Sequence, residues 1–106
     1  MRSTLYPVAF FLLAASIVVP ASAQSNGADI YKAKCALCHG AAGLGDTSAG
    51  KALNAASFKD PAIIKASDDE LIAAVKNGKG KMPPNNGRLT DAQITAVIAY
   101  IRTLQK

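Results

Sequence analysis

Hydrophobic positions recur at helical spacing in three stretches of this chain, and nowhere do they alternate with period two. The last stretch is the clearest. Ile94, Val97, Ile98, Ile101 and Leu104 form one apolar stripe, with Tyr100 near its edge. Its start is marked by Thr90 as N-cap, by Gln93 closing a capping box, and by Leu89 with Ile94 as a hydrophobic staple. Arg102 and Lys106 fall at the negative end of its dipole. The middle stretch opens on Ser67-Asp68-Asp69-Glu70, a second capping box with three acids on the positive end of the dipole. Leu71, Ile72 and Val75 make its apolar face, and Asn77-Gly78 ends it.

The first stretch begins near Asn26, a good N-cap residue, with Asp29 in the first turn. Tyr31, Cys35 and Cys38 lie on one stripe at i, i+4 and i+7, and Gly27 and Ile30 also face inward. A glycine inside a helix costs about 1 kcal/mol relative to alanine. At Gly27 it fits either a close approach by another helix or a frayed start. Residues 40–50 are glycine-rich and aperiodic, so they read as a loop that Lys51 to Phe58 continue, with Leu53 and Phe58 as buried anchors. Asp60-Pro61 is a turn, followed by a short helical turn over Ala62 to Ala66. The fold class is therefore all-α.

The N-terminus changes what counts as the domain. Met1-Arg2, an apolar run from Val8 to Val19 and the A-x-A triplet Ala21-Ser22-Ala23 compose a secretory signal peptide. The run is 12 residues, short of the ~20 that a spanning helix needs. An uncleaved membrane anchor is the alternative. Cleavage after Ala23 divides the chain into a signal at 1–23 and a single domain at 24–106, 83 residues long. A domain that small rarely buries enough apolar area without a staple. Loss of Arg2 leaves eleven Lys and Arg against seven Asp and Glu, and no dense basic run with interleaved aromatics, which argues against nucleic acid as a partner.

The staple is suggested by Cys35-Ala36-Leu37-Cys38-His39. Cys-x-x-Cys-His is the attachment signature of a c-type haem. On a helix all three side chains share one face, so two thiols can add to two vinyl groups while the imidazole reaches the iron. Methionine as the second axial ligand raises the reduction potential. Apart from Met1 the only thioether is Met82, in Gly80-Lys81-Met82-Pro83-Pro84, where two prolines stiffen the backbone. Other readings of these residues stand beside this one. A Cys-x-x-Cys pair serves in thioredoxin-like redox centres, but those need strand-helix-strand units. Structural zinc wants four ligands, and the chain has two Cys and one His. A plain disulfide leaves His39 unexplained, and a lone Met is often a core gap-filler.

With these residues in hand, the chain resembles the class I cytochromes c of the small bacterial monohaem kind, over essentially all of 24–106. Gly27-x-x-x-Tyr31-x-x-x-Cys35-x-x-Cys38-His39 matches the family's first helix, and Tyr100 sits where the family places an aromatic at the crossing with the last helix. The resemblance implies three main helices and loops around one haem held by Cys35 and Cys38, with His39 and Met82 on the iron and Leu53, Tyr31 and Pro83 in the pocket. It implies that a backbone carbonyl in Gly50-Lys51-Ala52-Leu53 accepts the His39 ring N–H, although the family often has proline at the position of Lys51. Tryptophan is absent, so propionate donors are sought among Asn54, Asn85 and Asn86. The implied function is a monomeric periplasmic one-electron carrier of a respiratory chain, not an enzyme, which meets redox partners through an acidic docking surface on their side. Lys34, Lys51, Lys79 and Lys81 would face that partner, unless they serve solubility alone. The alternatives are a cytochrome subunit of a larger oxidoreductase and an open-site haem peroxidase or sensor. The latter wants a distal His or Arg, and there is no second His.

Overall fold

The structure, a computed structural model, describes residues 3–4, 7, 9–16 and 26–106. The expected cleavage site at Ala21-Ser22-Ala23 lies, with all of residues 17–25, outside the described residues. Among the described residues six helices follow one another: α1 Gly27–Lys34, α2 Ala36–His39, α3 Ser48–Leu53, α4 Pro61–Lys65, α5 Asp68–Asn77 and α6 Asp91–Leu104. Among the described residues there is no strand, only two isolated bridges at Lys79–Met82 and Asn86–Leu89. No helix among them is long and apolar enough to cross a membrane.

The long helices begin where the capping residues predict. Asn26 Oδ1 accepts from the Asp29 N–H at 3.2 Å. Thr90 and Gln93 exchange both bonds of the capping box, at 2.8 and 3.1 Å. Ser67 makes only half of one: its Oγ accepts from the Glu70 N–H, and no reciprocal bond is formed. α6 is the spine of the domain. Its stripe Ile94, Val97, Ile98 and Ile101 is buried, together with Tyr31, Phe58, Val75 and Leu89. α1 crosses α6 at Gly27, where an added Cβ would lie 2.7 Å from the Ala96 carbonyl carbon and 3.3 Å from Tyr100 Cβ. A helix with any side chain at residue 27 could not approach this closely.

Three expectations are corrected. The first helix is not continuous through the motif, because Cys35 leaves helical geometry at φ −120° and separates α1 from α2. The turn is nevertheless retained by Cys35 N–H to Tyr31 O and His39 N–H to Cys35 O, at 2.8 and 2.9 Å. Residues 48–53 are helical, not loop. Thr47 caps them, its Oγ accepting from Gly50 N–H at 2.9 Å while its own hydrogen reaches Leu37 O at 2.6 Å. Leu53 is not a buried anchor. It ends α3 just before Asn54 turns the chain at φ 53°, and it stays 43% exposed. Phe58, the other expected anchor, is buried.

Candidate haem site

Residues of all six helices and of the loop after α5 line a cavity of about 560 Å³. That volume suits one mid-sized cofactor. Cys35, Cys38 and His39 line it from the motif, Met82 and Pro83 from the loop, and Leu53 from α3. Ile98 and Ile101 of α6 and Val75 of α5 complete its apolar wall. Both cysteines are free thiols. Burial pushes the Cys35 thiol up to about 11, so it is protonated at neutral pH. Among the described residues no three His, Cys, Asp or Glu side chains gather into a metal site of their own.

His39 is fixed on two sides. Its Nδ1 lies 3.0 Å from the Ala56 carbonyl oxygen. A carbonyl only accepts, so Nδ1 carries the hydrogen and Nε2 is left with its lone pair for a metal. The ring also stacks on Phe58, centroid to centroid 4.7 Å and 21° between planes. The acceptor is thus Ala56, not a carbonyl of Gly50 to Leu53. α3 causes the difference, because its carbonyls are turned along a helix and the chain must pass its cap at Asn54 before it can run alongside His39.

Tyr31 does not line the cavity. It is fully buried behind the motif, and its hydroxyl donates to the Gly40 carbonyl at 2.6 Å. That bond ties α1 to the residue that follows His39, so Tyr31 supports the motif from the far side. Burial first, then the neighbouring Cys35 and Tyr100, pushes the phenol up to about 12.

Met82 is held by more than its prolines. Met82 and Lys79 exchange backbone bonds of 3.0 and 3.2 Å across a tight turn. The loop then returns to α5, where Asn85 and Asn86 donate backbone N–H groups to Val75 O and Lys76 O, each at 3.0 Å. These are carbonyls that α5 cannot satisfy itself. Gly78, at φ 78°, lets the turn pack closely: a Cβ there would lie 2.7 Å from Met82 O. Of the three asparagines, Asn54 and Asn85 line the cavity and Asn86 lies off it. The Asn85 amide is already committed, donating to Val75 O at 3.2 Å and Pro83 O at 3.4 Å. Arg88 also lines the cavity, a residue the sequence reading passed over, since a lone arginine in a loop carries no pattern.

The residues fit a haem. An apolar slot meets two free thiols, an imidazole with an unengaged nitrogen, and a thioether. Comparison with known proteins agrees. Residues 22–101 match the family model described as cytochrome c oxidase, cbb3-type, subunit III. The chain is 39% identical to cytochrome c6 of Nostoc sp. over 94 residues, 89% of this chain and 82% of that one. It is 39% identical to cytochrome c6 of Leptolyngbya boryana over 77 residues, 71% of this chain and 85% of the relative. Among solved structures, the KustC0563 c-type cytochrome superposes with a TM-score of 0.69 at 30% identity, covering 76% of this chain and 99% of that one. The chain belongs to the class I c-type cytochromes, small all-α monohaem proteins that carry electrons and do not act as enzymes.

Proposed function

We propose that this cytochrome is a soluble periplasmic one-electron carrier in which Cys35 and Cys38 would form the thioether links to a haem whose iron His39 and Met82 would bind. The observation that carries this reading is the meeting of those four side chains on one apolar cavity. The haem supplies the redox couple, and the protein sets its environment. The Ala56 carbonyl raises the basicity of His39, Met82 favours the reduced iron, and the apolar wall keeps out water, which also favours the lower charge. A haem whose iron is held by both His39 and Met82 would leave no place for oxygen or peroxide, so an electron is what would enter and leave. Optical spectra of the oxidised and reduced protein test the reading. The wild type should show a low-spin haem c with a sulfur-to-iron band in the near infrared and should resist carbon monoxide. Met82→Ala should lose the band, bind carbon monoxide and fall in potential. A wild type that binds carbon monoxide as readily as the variant would refute Met82 as ligand.

We also place the redox partner's docking surface at the cavity mouth and assign it acidic character. Lys34, Lys79, Lys81 and Arg88 line the cavity and are exposed, whereas no Asp or Glu among the described residues does so. Such a one-signed rim steers encounter with an opposite charge. Export with cleavage after Ala23, and a monomeric state, complete the proposal. The mass of the protein recovered from the periplasm and its size-exclusion volume check both.

A further inference from the structure

Arg102 was expected at the negative end of its own helix dipole. Its guanidinium turns away from that end and reaches across to two other elements. Nη2 donates to Ala66 O at 2.6 Å, Nη1 to Ile63 O at 3.3 Å and Ile64 O at 3.4 Å, and Nε to the Asp68 carboxylate at 2.9 Å. Gln105 Oε1 accepts a further bond from Nη1 at 3.0 Å, so the fork is anchored on its own helix as well.

These acceptors are the end of α4 and the start of α5. α4 has five residues, too few to persist by itself, and its last carbonyls have no partner within the helix. Arg102 supplies those partners. Ile63 of α4 lines the haem cavity and packs on the core, as Leu71 and Val75 of α5 do. Gln105 extends the same grip, its amide donating at 3.2 Å to the carbonyl of Phe58, the residue stacked on His39.

We infer that Arg102 is a positioning residue for the redox site: it clamps α4 and the start of α5 against α6 and so keeps the wall at Ile63 closed over the haem. The inference rests on reading the cavity as the haem site. Its lever is solvent access, because the apolar shell around a metal centre sets the local dielectric and with it the potential. Lysine cannot substitute. It carries the charge but not the planar fork that serves three carbonyls and a carboxylate together.

The test compares holoprotein carrying Arg102→Lys, Arg102→Met or Lys76→Met. Lys76→Met is the control, since it breaks the other α5–α6 ion pair, Lys76 to Asp91 at 3.1 Å, which touches no cavity-wall carbonyl. Amide hydrogen exchange over residues 62–68 should quicken about tenfold in both Arg102 variants and not in the control. The reduced-to-oxidised ratio at fixed applied potential should fall about threefold in both, some 28 mV at 59 mV per decade for one electron. A normal potential and normal exchange in Arg102→Lys would assign the effect to charge alone and overturn the inference, as would no change in either variant. Should Arg102→Met not fold, Arg102→Lys decides by itself. The wild-type haem spectrum is a separate test of the site, and exchange over 62–68 needs no haem chemistry, so failure of one reading is distinguishable from failure of the other.

Discussion

Gly27→Ala is a sharp test of the fold, because two ordinary effects predict opposite signs for it. By helix propensity, alanine should stabilise α1 by up to about 1 kcal/mol. By packing it should do the reverse. The new Cβ would sit 2.7 Å from the carbonyl carbon of Ala96, where ordinary contacts lie at 3.4–4 Å, so the gap is short by at least 0.7 Å. The obstruction is backbone of α6, which cannot rotate aside as a side chain does. α1 must therefore move off a helix whose Val97 and Ile94 are fully buried at this crossing. Overpacking of this kind costs roughly 1–3 kcal/mol. Offset by a propensity gain of about 1 kcal/mol, Gly27→Ala should lose about 0–2 kcal/mol, and Gly27→Val more, since a β-branched residue adds bulk and gains less propensity. In a domain of this size each kcal/mol lowers Tm by roughly 4–8 °C. Guanidinium unfolding of the holoprotein, followed by far-UV circular dichroism and by haem absorbance, measures the loss. Ala33→Val, on the exposed side of the same helix, should stay within about 0.5 kcal/mol. If Gly27→Ala stabilised by the full propensity gain of about 1 kcal/mol, or Gly27→Val were neutral, the close crossing would be refuted.

Three further outcomes follow from the site. Tyr31 has its phenol pushed up from 10.0 to about 12, so its neutral form is favoured in the folded state. The folded protein then holds a proton that the unfolded chain loses, and the Tyr31 contribution is whole below pH 10 and disappears between about pH 10 and 12. Denaturant melts at pH 9 and 11 should show a larger loss in wild type than in Tyr31→Phe, and equal losses would contradict the assignment. Cys35→Ser with Cys38→Ser, expressed beside the haem-attachment machinery, should yield little helical protein, because the buried core among the described residues comprises eight hydrophobic side chains; a cooperative helical apo form would contradict it. Electron transfer to an acidic partner should slow as salt rises from about 0.01 to 0.1 M, over which the Debye length shrinks from about 30 to about 10 Å. Lys79→Glu and Lys81→Glu, at the cavity mouth, should slow it more than Lys106→Glu, and equal effects would leave the lysines a solubility role.

What was legible in the sequence was whatever a side chain announces. Thr90 with Gln93, Ser67 and Asn26 each declare a helix start, because a capping oxygen at a fixed offset from a helical stripe has few other uses. The cysteines, His39 and Met82 are rare types in a spacing that suits one cofactor, and Gly27 is a residue whose cost demanded a neighbour. α3 was hidden by composition. Six residues carry no periodicity, and the N-cap Thr47 sits among glycines that read as loop. Tyr31 was misplaced for a related reason: a stripe fixes which side of a helix faces inward, but not whether it meets the cavity or the core behind it.

The harder omissions are backbone groups, which every residue has and no sequence pattern can flag. His39 is oriented by the carbonyl of an alanine, and the Met82 loop is suspended from carbonyls of Val75 and Lys76. Ala56 lies in the chain beyond α3, whereas Val75 and Lys76 lie at the end of α5, where carbonyls lack intrahelical partners and must find donors elsewhere. The same logic accounts for Arg102, whose donors meet the last carbonyls of α4. Two helix ends in this small domain thus have their unsatisfied acceptors met by groups that bear on the iron's surroundings: the methionine loop and the clamp on the cavity wall. A domain with few large apolar side chains has little packing with which to hold ligands in place. It holds them with the carbonyls of its own backbone.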